Sequence, residues 1–184
     1  MSAKINSCIT VHRGRVFEMV TENITLANGT RFDIDIIRHP GAAAMVAVSD
    51  ENKVILVRQY RHAIGTYIWE IPAGTLARGE KPGECAKREL IEETGFSAEQ
   101  WQKLGEITPV PGYSDERIHI FLAQDLSAVS QNLDADEMLD VHEIPFENVM
   151  EMISKGEIQD GKSIAGLFMA LNYLKKEAKF FQKT

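Results

Sequence analysis

Apolar and polar residues alternate through the segment RVFEMVTENITLANGTRFDIDIIR, which ends at Arg38, and Asn28-Gly29 lies in its middle. Alternation of period two is typical of half-buried strands, and Asn-Gly between two such segments favours a tight hairpin turn. The pattern therefore predicts a small antiparallel β unit over residues 1–39. The segment His39-Pro40-Gly41 would join it to a second domain over residues 40–184.

Strands and helices are both predicted for the second domain. The run from Val54 to Val57 is wholly apolar, which indicates a strand buried on both faces. Pro82 suits the first turn of a helix and Gly95 the residue after its end, so a helix is expected from about residue 82 to 94. Helical spacing recurs from residue 146 to 152 and from 162 to about 179, and further strands are expected in AAAMVAVSD, YIWEIPAG, WQKLGEITPV, RIHIFLAQDL and DVHEIP. This order indicates an α/β sandwich around a mixed sheet.

The helix predicted from residue 82 carries a high concentration of negative charge. Glu89, Glu92 and Glu93 fall on one sector beside the apolar stripe, where the first and last of them repel each other. They also lie in the half of the helix where the dipole disfavours negative charge. Two interpretations remain open. One is a solvated acidic face in which Arg88 pairs with Glu92 or Glu84, and the other is a site for Mg²⁺ or Mn²⁺, which take oxygen ligands.

Composition and charge narrow the classes of protein and partner. The 184 residues carry a formal net charge of -7 without a Lys/Arg-rich block, which argues against nucleic acid as a partner because that affinity depends on phosphate neutralisation. No apolar run approaches the ~20 residues that span a bilayer, so no membrane partner is expected. Cys8 and Cys85 are too few for a disulfide framework, and with no secretory signal we expect a reducing cytoplasm.

The three glutamates belong to a longer motif. From Gly74 to Phe96 the chain reads GTLARGEKPGECAKRELIEETGF, which satisfies G-x5-E-x7-R-E-U-x-E-E-x-G-U, where U is a bulky aliphatic or aromatic residue. This motif resembles the signature of the Nudix hydrolases. The resemblance implies an α/β/α sandwich that holds divalent ions, Mg²⁺ or Mn²⁺, and hydrolyses a nucleoside diphosphate linked to another moiety. It also implies that Glu80 and Arg88 brace the loop through a salt bridge.

The motif positions imply specific roles for the acidic residues. Glu89 and Glu93 would be the main metal ligands, together with the backbone carbonyl of Ala73. Glu92 would take part in catalysis, either directly or through a water molecule. In this reading the repulsion among the carboxylates is tolerated because metal ions neutralise it.

A further carboxylate is needed to take a proton from the attacking water. In the ADP-ribose pyrophosphatase branch of the family, a glutamate in the loop after the long strand does this, and DADEMLDVHEIP resembles that loop. We assign the role to Glu137, with Asp136, Asp134 and Glu116 as alternatives because adjacent acids leave the register open.

The segments around the motif resemble the same branch. RQYR and WEIPAG precede the motif, and Pro111 falls 16 residues after Gly95, a spacing that marks ADP-ribose hydrolases. The resemblance implies hydrolysis of ADP-ribose to AMP and ribose 5-phosphate. GDP-mannose, or nucleoside diphosphate sugars in general, are the alternative substrates, and a sensor that binds ADP-ribose without cleaving it is the rival from another class.

Five residues are candidates to contact the substrate. Arg61 and Arg38 can grip phosphate or ribose oxygens, or lie as surface arginines at strand ends. Glu70 can accept hydrogen bonds from a sugar or base, or pair with an arginine across the sheet. Phe17 can stack on the nucleobase or belong to the core, and Glu116 is a further candidate. Related enzymes swap the N-terminal unit between subunits, so the resemblance also implies a homodimer.

Overall fold

The computed structural model describes residues 3–133 and 138–181. The chain divides into two compact units. The first, here the N-terminal unit, comprises Met1–Gly41 and Thr108–Arg117. The second, here the sandwich unit, comprises Ala42–Ile107 and Ile118–Thr184.

The N-terminal unit contains a three-stranded antiparallel sheet. Its strands are β1 (Lys4–Arg13), β2 (Glu18–Thr25) and β3 (Arg31–Arg38), in that spatial order. The predicted hairpin is confirmed, because β2 and β3 pair across the Asn-Gly turn and Gly29 has a φ of 85°. This left-handed conformation is the one that glycine adopts without steric cost.

Strand β1 is not among the predicted strands. All ten of its residues are exposed, and its pairing with β2 shifts register between Ile5 and Ser7 and again between Thr10 and His12. Each bulge inserts a residue that interrupts the alternation of faces, so the segment lacks a continuous period of two.

The sandwich unit is built on a mixed sheet, as predicted. Its elements are β4 (Ala42–Val48), β5 (Lys53–Arg61), β6 (Thr66–Glu70), β7 (Ala73–Thr75), α1 (Pro82–Thr94), β8 (Phe96–Ile107), β9 (Ile118–Ala128), β10 (Leu139–Pro145), α2 (Phe146–Ser154) and α3 (Gly161–Phe181). Strand order is β10-β5-β4-β9-β8, with β6 paired to β5 and β7 paired to β4. Strands β4 and β9 are parallel and the other pairs are antiparallel. No helix in the described part of the chain is long and apolar enough to cross a membrane.

Helices cover both faces of this sheet. Along β4, Ala44 and Val46 pack into a core with α2 and α3, whereas Ala43 and Met45 pack into a second core with α1. Because strand side chains alternate between faces, β4 is buried along its whole length. The apolar run from Val54 to Val57 is buried as predicted, and the sheet lies between two helical layers.

The packing of α3 on the sheet is tight enough to exclude a side chain at Gly166. A Cβ there would lie 2.9 Å from Cδ1 of Ile71, which is itself fully buried, and 3.4 Å from Ile120 and Val46. We therefore expect Gly166→Val to lower the free energy of unfolding by about 1–3 kcal/mol through overpacking. A Cβ at Gly83 in α1 meets nothing within 4 Å, so Gly83→Val should change it by less than about 0.5 kcal/mol. Urea denaturation measures both, and equal losses would contradict the packing argument.

Candidate active site

Helix α1 is bounded by local signals at both ends. Pro82 occupies its first turn, and the N–H of Lys81 donates to the Glu84 carboxylate at 3.4 Å. At the other end Gly95 adopts a φ of 69° and donates its N–H to the carbonyl of Ile91 at 3.0 Å. This left-handed residue ends the helix directly after the acidic turn.

Two of the three glutamates in that turn are buried. Glu89 is 8% exposed and Glu93 is 3% exposed, whereas Glu92 is half-buried. The interpretation of a wholly solvated acidic face therefore fails for Glu89 and Glu93. Burying a charged carboxylate is costly unless it is paired or bound to a cation, so the contacts of this turn decide its role.

Strand β7 approaches α1 so closely that a side chain at position 74 would displace the Glu89 carboxylate. A Cβ on Gly74 would lie 1.8 Å from Oε1 of Glu89, far inside van der Waals contact. The N–H of Ala73 donates to Oε2 of Glu93 at 3.0 Å. The contact between β7 and α1 thus brings together the three residues expected to hold metal: Ala73, Glu89 and Glu93.

Arg88 links the helix to the preceding loop, as predicted. Its guanidinium donates to both oxygens of Glu80, at 2.9 and 3.0 Å, and also to Glu89 at 2.7 Å and Glu92 at 2.8 Å. These hydrogen bonds, above all the one to Glu80, raise the pKa of Arg88 above its usual range. In return Arg88 lowers the pKa of Glu80 to about 2.

The thiol of Cys85 also faces this loop. Burial, followed by the charges of Glu80 and Glu89, raises the pKa of Cys85 to about 12. The thiol therefore stays protonated at neutral pH and donates to the carbonyl of Gly74, 3.5 Å away. It adds a second tie between β7 and α1.

These contacts leave an excess of negative charge. One guanidinium, that of Arg88, faces the carboxylates of Glu80, Glu89 and Glu92, and Glu93 lies on the next turn. Carboxylate and carbonyl oxygens are the donors that Mg²⁺ and Mn²⁺ prefer, so the chemistry of the set fits a hard divalent ion.

Two of these carboxylates are paired with Arg88. Among the residues that the structure describes, no three His, Cys, Asp or Glu side chains converge as a set that could hold a metal. Glu89 and Glu92 instead share the guanidinium of Arg88. A bound cation would therefore compete with Arg88 for oxygens of these two carboxylates.

A second cluster of charges lies around Glu70, at the end of β6. Arg61 donates to both carboxylate oxygens of Glu70, at 2.7 and 3.1 Å, and Lys162 contacts the same carboxylate. The alternative predicted for Glu70, pairing with an arginine across the sheet, is thus observed. Burial lowers the pKa of Arg61. The hydrogen bonds to Glu70 and the negative charges of Glu70, Glu93 and Asp160 outweigh that effect, so the pKa is raised. Glu93 is close enough to Arg61 to contribute to that shift.

Asp160 holds this second cluster against the start of α3. Its carboxylate accepts the N–H and hydroxyl of Ser163 and an ammonium hydrogen of Lys162, which lies 2.9 Å away. Burial raises the pKa of Asp160, but Lys162 and Ser163 outweigh it and the pKa is lowered. The Ser163 hydroxyl in turn accepts the N–H of Ile71 at 2.8 Å.

Lys162 was not among the predicted site residues. The signal that could have identified it is the sequence DGKS at residues 160–163. Asp followed by Ser three residues later is a typical helix start, and it fixes the lysine between them on the first turn.

The other predicted substrate contacts lie in the N-terminal unit. Arg38 donates to Glu22 at 2.5 Å and to Asp115 at 3.0 Å, and these bonds raise its pKa. The carboxylate of Glu116 lies 3.6 Å from Nδ1 of His39. Phe17 is 41% exposed, so the alternative of a core role for it is not observed.

The predicted general base lies outside the described residues. Glu137 and the alternatives Asp134 and Asp136 fall in residues 134–137. Just before that segment, the N–H of Asn132 donates to the carbonyl of Glu92 at 3.2 Å, and the side-chain amide of Gln131 donates to the carbonyl of Glu93. Gln131 and Asn132, which directly precede this segment, thus lie against the acidic turn of α1.

Comparison with known proteins settles the family. The model of the NUDIX domain matches residues 38–167, most of the chain. The chain belongs to the Nudix family. Nudix hydrolases generally require divalent metal ions, which agrees with the oxygen donors gathered on α1.

Three Nudix relatives are similar over most of their length. The ADP-ribose pyrophosphatase of Bacillus subtilis (strain 168) is 39% identical over 94% of this chain and 93% of its own. The methanol dehydrogenase activator of Bacillus methanolicus is 39% identical over 89% of this chain and 88% of its own. The GDP-mannose pyrophosphatase of Enterobacter sp. (strain 638) is 34% identical over 81% of this chain and 84% of its own.

A solved structure shares this Nudix fold. The crystal structure of an ADP compounds hydrolase superposes with a TM-score of 0.84 at 27% identity, covering 96% of both chains. The mixed sheet between helical layers and the small N-terminal sheet are therefore features of a known architecture.

The brace between Glu80 and Arg88 should make stability depend on pH. Because the pKa of Glu80 is about 2 in the folded protein and about 4.5 in the unfolded chain, its contribution is complete above pH ~4.5. That contribution is lost as the pH falls through about 2. We expect Glu80→Gln to lower the urea midpoint of metal-free protein at pH 7, and the difference from wild type to shrink between pH 5 and 3. A difference that grows on acidification would contradict the brace.

Proposed function

We propose that this Nudix protein hydrolyses the pyrophosphate bond of nucleoside diphosphate sugars, with ADP-ribose as the leading substrate and AMP and ribose 5-phosphate as products. One observation carries the proposal. The buried carboxylate of Glu93 accepts the N–H of Ala73 at 3.0 Å. Ala73 follows Glu70 by three residues, and the Glu70 carboxylate holds Arg61 and Lys162. A site for a hard cation beside fixed cationic side chains is suited to a diphosphate.

Mg²⁺ or Mn²⁺ is the proposed cofactor. Glu89, Glu93 and the carbonyl of Ala73 would hold it, with Glu92 contributing directly or through water. When bound, such an ion neutralises phosphate oxygens and lowers the pKa of a water ligand. Arg88 would keep its bidentate contact with Glu80 and so hold the loop in place.

Arg61 and Lys162 are the proposed diphosphate contacts. Both already contact Glu70, and Asp160 contacts the lysine, so their positive ends are held in place before substrate arrives. Such preorganisation reduces the entropy lost on binding. Glu70 would serve chiefly to position these cations, and any further hydrogen bond to a sugar hydroxyl would use the same carboxylate.

Glu137 is the proposed general base. Its carboxylate would take one proton from the attacking water while the water oxygen forms a bond to phosphorus. The bond between that phosphorus and the bridging oxygen breaks, and the second phosphate leaves with the bridging oxygen. Glu92, whose backbone carbonyl accepts the N–H of Asn132, would help to hold the entry to this loop.

The N-terminal unit, which includes the predicted β unit of residues 1–39, is proposed to serve dimerisation and substrate contact. Arg38, Glu116 and Phe17 would reach ribose or nucleobase. Strand β1 is an exposed edge carrying Ile5, Ile9 and other apolar side chains, which suits pairing with a second copy in a homodimer.

Ile9→Glu should convert a dimer into a monomer in sedimentation velocity, because it places a charge on that edge. Wild type that sediments as a monomer at micromolar concentration would contradict the homodimer.

We also propose a cytoplasmic location, where Cys8 and Cys85 remain reduced.

GDP-mannose, within a broad range of nucleoside diphosphate sugars, is the second candidate substrate. The similarity to GDP-mannose pyrophosphatase over most of the chain supports it. An enzyme that recognises chiefly the diphosphate would accept several sugars.

Substrate choice is tested by kcat/KM for ADP-ribose, GDP-mannose and UDP-glucose, each with Mg²⁺ and with Mn²⁺. We expect the highest value for ADP-ribose, and about equal values would support the broad alternative.

Glu93→Gln should lower kcat by several orders of magnitude, whereas Glu84→Gln, on an exposed side of the same helix, should leave it nearly unchanged. Binding of ADP-ribose without metal-stimulated turnover would instead indicate a sensor.

The general base is tested by amide variants of the candidate acids. We expect Glu137→Gln to lower kcat by about 10²–10⁴ and to remove the acid limb of the pH–rate profile, because the amide cannot accept the proton. Asp136→Asn, Asp134→Asn and Glu116→Gln are matched controls with expected losses below about tenfold. If one of these controls has the large loss and Glu137→Gln does not, the assignment is wrong.

A further inference from the structure

Ser163, in the first turn of α3, is fully buried. Its hydroxyl makes two hydrogen bonds, since it donates to Oδ2 of Asp160 and accepts the N–H of Ile71 at 2.8 Å. A carboxylate accepts and a backbone N–H donates, so the direction of the hydroxyl proton is fixed. The hydroxyl thus joins the start of α3 to Ile71, which lies 92 residues earlier in the chain.

Lys162, the neighbour of Ser163, closes a ring of polar contacts with the same part of the chain. Its ammonium donates to Oδ2 of Asp160 at 2.9 Å and contacts the carboxylate of Glu70. Glu70 directly precedes Ile71, so two consecutive residues of α3 hold two consecutive residues at the end of β6. A buried network with its members paired in this way holds them in one arrangement.

The chain after Ile71 leads at once to the metal side of the site. Pro72 follows, and a proline has no N–H and a fixed φ, which restricts the path of the chain. The N–H of Ala73 then donates to Oε2 of Glu93 at 3.0 Å. The two backbone N–H groups of residues 71–73 are therefore both used, the first on Ser163 and the second on Glu93. A displacement of Ile71 would reach Ala73 through a single restricted residue.

The geometry points to Ser163 as a positioning residue that, through the N–H of Ile71, sets the place of Ala73 against Glu93 and so the oxygen atoms offered to a divalent ion. This inference rests on the proposed function, in which Ala73 and Glu93 hold that ion. The role goes beyond capping of α3. Asp160 accepts the N–H of Ser163 at 2.9 Å, and this cap does not need the hydroxyl.

Ser163→Ala removes the hydroxyl and keeps the N–H that Asp160 caps. Amide hydrogen exchange of metal-free protein, followed by NMR, measures the N–H groups of Ile71 and Ala73 relative to those of the central strand β9. We expect both to exchange about tenfold faster in the variant, the effect of one lost hydrogen bond. Val149→Ala is the matched control, because it makes a cavity at a fully buried position on α2. It should leave both relative rates unchanged.

Calorimetric titration of Mn²⁺ into chelator-treated, substrate-free protein is the second readout. We expect Ser163→Ala to bind Mn²⁺ about tenfold more weakly than wild type, and Val149→Ala to bind it within about threefold of wild type. At saturating Mn²⁺ the KM of Ser163→Ala for ADP-ribose should change less than about threefold, because Asp160 still holds Lys162. A residue that only stabilised the fold would not separate metal affinity from KM in this way.

Three results would overturn the role of Ser163. One is faster exchange of Ile71 alone, which would mean that the hydroxyl anchors α3 without placing Ala73. Another is Mn²⁺ binding by Ser163→Ala within threefold of wild type. The third is an equal loss of Mn²⁺ affinity in Val149→Ala, which would mean that any loss of stability loosens the metal site.

Failure of the proposed function gives a different result. Wild type that binds Mn²⁺ but hydrolyses none of ADP-ribose, GDP-mannose and UDP-glucose contradicts that function, and the exchange and Mn²⁺ titrations still decide the role of Ser163. Wild type that binds no Mn²⁺ contradicts both. Normal turnover and Mn²⁺ binding by wild type, with neither exchange nor affinity altered in Ser163→Ala, contradicts only the role of Ser163.

Discussion

The close approach of the Glu89 carboxylate to Gly74 is the constraint on which the rest of the site depends. Because Gly74 has no side chain, β7 can lie directly against α1, and this approach lets Ala73 donate its N–H to Glu93. The same approach places the Gly74 carbonyl within reach of the Cys85 thiol. Two buried carboxylates, a backbone N–H and the Gly74 carbonyl are thereby gathered where β7 meets α1.

Two clusters of charged side chains form this site. On α1, Arg88 binds three carboxylates, so the acids outnumber the cation and the set can take a further positive charge. Around β6, Glu70 and Asp160 hold Arg61 and Lys162, the proposed diphosphate contacts, in place. The hydrogen bond from Ile71 to Ser163 ties this second cluster to the segment that leads into β7. The proposed cation and diphosphate sites therefore lie on neighbouring residues of one strand and loop.

Local signals made much of this predictable from the sequence. Pro82 and Gly95 bound α1 where expected, because proline and glycine act through their own backbone. The Glu80–Arg88 brace was implied by the resemblance of the motif to the Nudix signature. Strand β1 was not predicted because its two bulges break the alternation of apolar and polar residues. Lys162 was not predicted for another reason: it contacts Glu70, which lies far away in the sequence.

The central claim is that the buried carboxylates of α1 hold a divalent cation. Its most direct test is calorimetric titration of Mn²⁺ into chelator-treated protein, comparing wild type with Glu93→Gln and with the exposed control Glu84→Gln. We expect wild type and Glu84→Gln to bind Mn²⁺ equally and Glu93→Gln to bind it at least about tenfold more weakly, a loss of about 1.4 kcal/mol. Equal binding by all three proteins, or no binding by wild type, would contradict it.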